Sequence, residues 1–323
     1  MLFYSPMRIL LVKTSSLGDV IHNLPVVSDL RRCFPEARID WCVEEAFADI
    51  PRLHPDVSQI ITVALRRWRT TLGQWGTWRE IGAFRKNLGQ TPYDAILDSQ
   101  GLIKSALIAR QAIGRHIGYA AEVSREPLAA RFYDETFVIP LTAHAVVRNR
   151  WLAAAAFNTP VDLPLDYGVN SPAVDFPWLT RGRHVVLLTA TSRDDKLWAE
   201  GNWMVIAQAL INRGLTPVFP SGNAPERQRA ERIVAAVPGA IVVPPLSLHE
   251  LAGLIGGSAL VIGVDTGLAH LATALRVPTI ALYIATDPAL TGVYGTGIFH
   301  NLGAPGRPPT AAEVMTVADQ KLR

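Results

Sequence analysis

The sequence predicts an α/β protein built from two doubly wound parallel-sheet domains, and three observations carry that prediction. Short continuous apolar runs recur, of the length and make-up that suit strands buried on both faces. Stretches of helical character separate them. A proline-rich segment near the middle interrupts this alternation, which then restarts. Strands that alternate with helices form parallel sheets covered on both sides, so each half reads as its own layered domain.

The first run, 8–12, is RILLV. A polar turn with one glycine follows at 13–19, then a helical stretch to about residue 34 that Pro25 breaks or reopens. Strands are expected at 39–43, 59–63 and 94–97, and helices at 78–88 and near 104–113. Residues 137–139 read as a short extended piece, and 144–157 as an alanine-rich helix. The segment 159–177 holds Pro160, Pro164, Pro172 and Pro177 with little periodicity, the mark of a linker. The expected division is therefore an N-terminal domain over 1–158, a linker over 159–180 and a C-terminal domain over 181–323. In the second half strands are expected at 184–189, 216–219, 241–243, 260–264 and 279–282. Helices are expected at 203–213, 225–237, 248–255, 267–275 and 311–322, with the last free to pack back on the first domain. Two such domains imply a cleft between them, with ligands at the carboxyl ends of the strands.

Bulk properties exclude several classes. The chain has 323 residues, 49% hydrophobic and 18% charged, enough for two cores and too apolar for wholesale disorder. A net charge of +3 is too weak to argue for nucleic acid. Cys33 and Cys42 form no CxxC pair, and no Cys/His cluster has zinc spacing. The longest apolar run, 252–264, is shorter than the roughly 20 residues of a spanning helix. The expectation is a soluble or peripheral cytosolic protein with no signal peptide.

Four constellations carry chemistry. In the turn 13–22, Ser15, Ser16 and Gly18 offer amides and hydroxyls to an anion or a sugar. Asp19 there fits two roles, a general base kept ionised by the helix N-terminus or a cap of that helix. At 262–270 a buried run enters a helix through Asp265 and Thr266. The first amides of that helix, at Gly267 and Leu268, suit a pyrophosphate, whereas an N-cap with a packed His270 is the structural alternative. Neither a Walker lysine nor a GxGxxG pattern is present. The polar loop at 189–198 offers Thr191, Ser192 and Lys196 to phosphate, or is a solvated loop. Lysine occurs only five times among 31 basic residues, which singles out Lys196. Finally Arg66, Arg67, Trp68 and Arg69, followed by Trp75, Trp78, Arg79, Arg85 and Lys86, suit phosphate clamping at a membrane interface, or single-stranded nucleic acid. The alternative is a basic helix face with the tryptophans packed inward, a reading that applies above all to Trp78 and Lys86. His22, His116 and His184 are taken as structural, and no metal site is argued for.

Together these pieces resemble the heptosyltransferase family of the glycosyltransferase B fold (family 9), in which two Rossmann-like domains face a cleft. The segments KTSSLGDVIHNLP, RRWR, DSQGLIKSA, SREPLA, HAVVRNR, SRDDKLW and DTGLAHLATAL followed by TDP look like the heptosyltransferase I branch in order and spacing. The resemblance runs over nearly the whole chain from Met7. It implies inverting transfer of L-glycero-D-manno-heptose from ADP-heptose to a Kdo hydroxyl of Kdo2-lipid A. The transfer would take place at the cytoplasmic face of the inner membrane, with no metal or other cofactor and no nucleic acid. Asp19 matches the family's catalytic base, and Lys196 a residue beside the donor's phosphates. Asp265 matches a heptose contact, with Thr266, Gly267 and Leu268 along the pyrophosphate, Thr191 and Ser192 on the same side, and His270 also on the donor side. Glu226 matches a carboxylate near the ribose and Leu246 a position near adenine. Arg66, Arg67, Arg69 and Arg125 match basic residues that meet acceptor anions, with His144 nearby. The chain departs from the pattern at Ile284–Ala285, where the family has Gly-Pro, and at Thr70, where a basic residue often stands. Two rivals stay open: a transferase of the same fold with another donor or acceptor, and a binding module for anionic glycolipid or nucleic acid.

Overall fold

Strand β1 (Arg8–Val12) is an apolar run whose last four residues are fully buried, so its backbone groups must pair on both sides. It pairs in parallel with β2 (Arg38–Glu44) on one side and with β4 (Pro92–Asp98) on the other. The computed structural model describes residues 6–179, 183–191 and 193–322. In the first half, α1 (Leu17–His22) and α2 (Leu24–Cys33) follow β1, and α3 (Asp49–Arg52) separates β2 from β3 (Val57–Val63). Helices α4 (Leu65–Thr70) and α5 (Trp75–Gly89) lead to β4. Then come α6 (Ile103–Ala109), β5 (Ile113–Tyr119), β6 (Glu135–Phe137) and α7 (Ala145–Phe157). Pro25 lies in the first turn of α2, where its missing N–H costs nothing, and so it reopens the helix.

The second half repeats the plan. It runs β7 (His184–Leu188), α8 (Glu200–Ile211), β8 (Thr216–Phe219), α9 (Ala224–Ala235), β9 (Ile241–Val242), α10 (Leu248–Gly256) and β10 (Leu260–Val264). It continues with α11 (Gly267–Ala274), β11 (Thr279–Tyr283), α12 (Pro288–Thr291), β12 (Phe299–Gly303) and α13 (Ala311–Leu322). Among the described residues the strands form two parallel six-stranded sheets, ordered β3-β2-β1-β4-β5-β6 and β12-β11-β10-β7-β8-β9. The fold class is the expected one. In each sheet the chain reverses its direction of winding once, between β1 and β4 and between β7 and β10. Ligands of open parallel sheets gather at such points.

The chain divides into two units, Met1–Val169 and Asn170–Arg323, inside the segment read as a linker. The physical reason lies in what the prolines leave accessible. The carbonyl of Leu163 accepts from Arg150 and that of Pro164 from Arg32, so the start of the segment is tied to the first unit. Gly168, with φ +65°, passes so close to His54 that a β-carbon would collide with the ring. Further on, Val174 and the Pro172 carbonyl lie against Gly253 of the second unit. The end of the segment, Thr180, and the adjoining 181–182 lie outside the described residues. Helix α13 joins the core of the second unit, where Val314, Met315 and Ala318 pack in one cluster with Trp198 and Trp203.

A chain of hydrogen bonds carries the fold to the first site. Gly118 in β5 leaves room for the Tyr133 ring, whose hydroxyl donates to buried Asp98 at the end of β4 (2.7 Å). Asp98 accepts from the Gln100 amide (2.8 Å), and Gln100 Oε1 in turn accepts from Thr14 N (2.7 Å) and Thr14 Oγ1 (2.8 Å). A β-carbon at Gly118 would lie 2.2 Å from the Tyr133 ring. Gly118→Ala is therefore expected to destabilise the first unit by about 1–3 kcal/mol, read as a lower denaturant midpoint of its transition.

Candidate active site

Residues 13–16 leave β1 at the carboxyl edge beside the first reversal point, facing the loop after β4. Lys13 turns its side chain inward. It is 4% exposed, and its ammonium donates to the Ser99 carbonyl (2.6 Å) and to Asn149 Oδ1 (3.4 Å). Lys104 Nζ donates to Ser15 Oγ (3.1 Å). Asp19 stands in the first turn of α1. Its Oδ2 accepts from the Ser16 amide (3.0 Å) and the Ser16 hydroxyl (3.1 Å), so the capping role read from the sequence is real. Arg125, from the loop after β5, also grips the carboxylate with both guanidinium nitrogens, at 2.8 Å to Oδ1 and 3.3 Å to Oδ2. Ser15, Ser16, Gly18, Asp19 and Arg125 thus form one cluster.

Other predicted residues of this unit lie apart or are already engaged. His144 is the N-cap of α7, with Nδ1 accepting from the Val146 amide, and its ring meets His22 edge-on at 5.7 Å. Arg66 stacks over Phe47 (4.8 Å). Arg67 is held by Glu45 (3.0 and 3.1 Å) and Glu80 (2.8 Å), so any acceptor anion must compete with two carboxylates. Arg69 is exposed on α4. The inward tryptophan is Trp68, 7% exposed and edge-on to Phe84, whereas Trp78 is 55% exposed, contrary to the inward packing weighed for it.

The second unit builds a matching arrangement at its own reversal point. Asp265 follows β10, and Lys196 and Thr191 follow β7. Lys196 Nζ donates to Asp265 Oδ2 (2.7 Å), Thr286 Oγ1 donates to the same oxygen (2.8 Å), and Thr191 Oγ1 donates to the Asp265 carbonyl (3.0 Å). Thr266 is the N-cap of α11, and Gly267 and Leu268 open that helix, where amides have no intrahelical acceptor. His270 is buried in α11 with Nε2 4.0 Å from Asp265 Oδ1. Glu226 folds its carboxylate onto the Gly222 amide (2.7 Å) and Asn223 Nδ2 (2.8 Å) at the start of α9. Leu246 is half-buried in the loop between β9 and α10, at the same carboxyl edge. Ser192 lies outside the described residues. Ile284, at the departure from the family pattern, packs against the core of its unit, and its carbonyl accepts from the Gly306 amide. Sequence reasoning assigned no role to Thr286, Gln100 or Lys104, although each stood inside a quoted motif. Their distance along the chain from their partners hid the contact. Among the described residues no three His, Cys, Asp or Glu side chains are placed to hold a metal ion, and no helix is long and apolar enough to cross a membrane.

The model of glycosyltransferase family 9 (heptosyltransferase) matches residues 81–315. The chain belongs to this family. It is therefore a glycosyltransferase. It is similar to lipopolysaccharide heptosyltransferase 1 of Pseudomonas aeruginosa, 42% identical over 98% of this chain and 90% of that protein. Among solved structures it is similar to the E. coli heptosyltransferase WaaC with ADP, with a TM-score of 0.89 and 38% identity over 98% of this chain and 100% of that one. The same enzyme with ADP-2-deoxy-2-fluoro heptose gives a TM-score of 0.86 at 38% identity, over 97% of this chain and 99% of that one.

The charges of this family 9 enzyme are balanced around Asp19. Burial alone would raise its pKa. The charge of Lys13, then the charge and hydrogen bonds of Arg125 and the Ser16 amide, outweigh burial and hold the carboxyl well below the usual carboxylate range. Lys13 shows the opposite balance. Burial brings its pKa down to about 8, against the pull of Asp19, which raises it. Because the folded pKa lies below the unfolded one of 10.5, the unfolded chain binds more protons between these values. The Lys13 contribution to stability therefore rises with pH across that window. Side-chain NMR of the five lysines is expected to show one ammonium titrating near 8, and Asp19→Asn is expected to move that pKa further down. An unchanged lysine pKa in the variant would break the proposed coupling.

Proposed function

We propose that the enzyme transfers L-glycero-D-manno-heptose from ADP-heptose to a Kdo hydroxyl of Kdo2-lipid A in lipopolysaccharide core assembly, with inversion and without a metal. It works as a peripheral protein at the cytoplasmic face of the inner membrane, with no nucleic acid involved. The observation that carries this reading is Asp19, an ionised carboxylate flanked by two cations at the carboxyl edge of the first sheet. The lipopolysaccharide heptosyltransferase of P. aeruginosa and the ADP-bound E. coli enzyme, each similar over nearly the full chain, support the choice of donor and pathway.

Asp19 takes the proton of the acceptor hydroxyl as that oxygen attacks the anomeric carbon from the face opposite ADP. The bond from the anomeric carbon to the diphosphate oxygen breaks, and ADP leaves with the electron pair. In the free protein both Asp19 oxygens are occupied and its basicity is low. An anionic acceptor draws Arg125 to its own carboxylate or phosphate, which weakens that hold and makes Asp19 a better base when the acceptor arrives. On the donor side Lys196 is shared with Asp265 until a diphosphate competes for it, and the first amides of α11 add further donors. Thr286 then keeps Asp265 oriented toward the sugar hydroxyls. Thr191, Thr266, His270, Glu226, Leu246 and Ser192 complete the donor side of this reading. Arg66, Arg67, Arg69 and His144 complete the acceptor side.

The test is ADP release from ADP-heptose with and without acceptor. Release is expected to depend on Kdo2-lipid A and to persist in EDTA. Asp19→Ala is expected to lower turnover about a hundred- to ten-thousand-fold while leaving ADP binding unchanged. Lys196→Ala is expected to cost roughly 100-fold or more, consistent with loss of one charge-stabilising donor. Wild-type turnover in Asp19→Ala would remove this residue from the mechanism, and ADP release without acceptor would point to hydrolysis.

A further inference from the structure

Helix α5 has one buried face and one that is exposed among the described residues. Thr77 and Leu88 are buried, and Ile81 and Phe84 pack against the core cluster of the first unit. With about 3.6 residues per turn, the opposite side of the helix presents Trp75, Arg79, Gly82 and Lys86. Trp75 is 80% exposed, and Trp78, beside it at i+3, is 55% exposed. Trp78 Nε1 donates to the Leu72 carbonyl (2.9 Å), which ties the ring to the turn between α4 and α5, where Leu72 is itself 50% exposed. Three large apolar side chains thus lie bare within seven positions. Singly exposed apolar residues are ordinary, but a cluster that includes two tryptophans marks a binding surface.

The charge around the cluster selects its partner. Residues 65–90 carry six basic side chains, Arg66, Arg67, Arg69, Arg79, Arg85 and Lys86, and a single acidic one, Glu80. Glu80 is already paired with Arg67 and accepts from Trp68 Nε1. The field of the face is therefore positive. A second copy of the chain would bring the same charge against itself, which disfavours self-association here. An anionic bilayer satisfies both features, because arginine and lysine meet lipid phosphates while tryptophan rings settle at the boundary between headgroups and acyl chains.

We propose that Leu72, Trp75 and Trp78 form the membrane anchor of this enzyme, seated in the headgroup region of an anionic bilayer and flanked by Arg69, Arg79 and Lys86. Because α4 leaves the carboxyl end of β3, the anchor lies at the same edge of the first sheet as Asp19. A protein seated this way holds its acceptor half-site at the lipid surface, where a lipid-linked sugar is presented. This rests on the peripheral, lipid-acceptor reading above, and the experiment separates the two.

Co-sedimentation of the full chain is measured with phosphatidylcholine vesicles, with or without phosphatidylglycerol, and with no glycolipid acceptor present. Binding is expected only to the anionic vesicles and is expected to weaken as salt is raised. Trp75→Ser/Trp78→Ser and, separately, Arg79→Glu/Lys86→Glu are each expected to weaken it about tenfold or more. ADP release with a deacylated, water-soluble acceptor is expected to be the same in the parent and both variants, which also reports that they are folded. Failure of the parent to bind anionic vesicles, or undiminished binding by the double tryptophan variant, would overturn the anchor. Tight binding of a single-stranded oligonucleotide in place of vesicles would overturn it too and assign the face to nucleic acid. Vesicle binding by the parent that is lost in both variants, with no turnover on any acceptor, would uphold the anchor and count against the heptose-transfer reading.

Discussion

Lys13 carries its ammonium into the first unit, between the Ser99 carbonyl and Asn149, and the loops after β1 and β4 are arranged around it. A lone buried cation is costly, so its surroundings must supply acceptors and a counter-charge. The Ser99 carbonyl, Asn149 and buried Asp98 supply part of that. Asp19, on the next turn of chain, supplies the rest and is held ionised in return. The chain of bonds from Tyr133 through Asp98 and Gln100 to Thr14 fixes the loop that sets this distance. Packing on the far side of β5 thereby reaches the turn that leads to Asp19.

The two units solve the same problem with the same device. Each places an aspartate where a central strand gives way to a helix, beside the point where the sheet reverses its winding. Each then holds that aspartate with a cation from a neighbouring loop, Arg125 on Asp19 and Lys196 on Asp265. Such pairs cost little to exchange when a ligand offers an equivalent anion. In the reaction we propose, a carboxylate or phosphate of the acceptor takes Arg125, and the diphosphate of the donor takes Lys196. The free protein thus keeps these charges matched.

The basic segment after β3 divides between two tasks. In the free protein Arg67 clamps Glu45 and Glu80, and Arg66 lies over Phe47. These contacts stiffen α4 against the body of the unit. The residues left outward on α5 include two tryptophans and three bases, a composition that favours a surface both apolar and anionic.

The sequence by itself determined the architecture and the addresses of the site. Runs such as RILLV and LVIGV, too apolar to face water on either side, had to be central parallel strands, and the turns following them were the places to look for ligand-facing groups. The cap role of Asp19 was legible because it depends on immediate neighbours, whereas the sequence left Pro25 as a break or a reopening of the helix and the structure decided for the reopening. The tertiary structure alone decided what joins across the chain. Arg125 meets Asp19 from 106 residues away and Lys196 meets Asp265 from 69, separations at which local pattern carries no information. It also decided which tryptophan is buried. The break at 71–74 divides α4 from α5, and the helical phase does not carry across it, so Trp68 turned inward and Trp78 outward. The division of the chain at Val169 within a proline-rich segment was decided in the same way, by arginines that reach its carbonyls from helices α2 and α7.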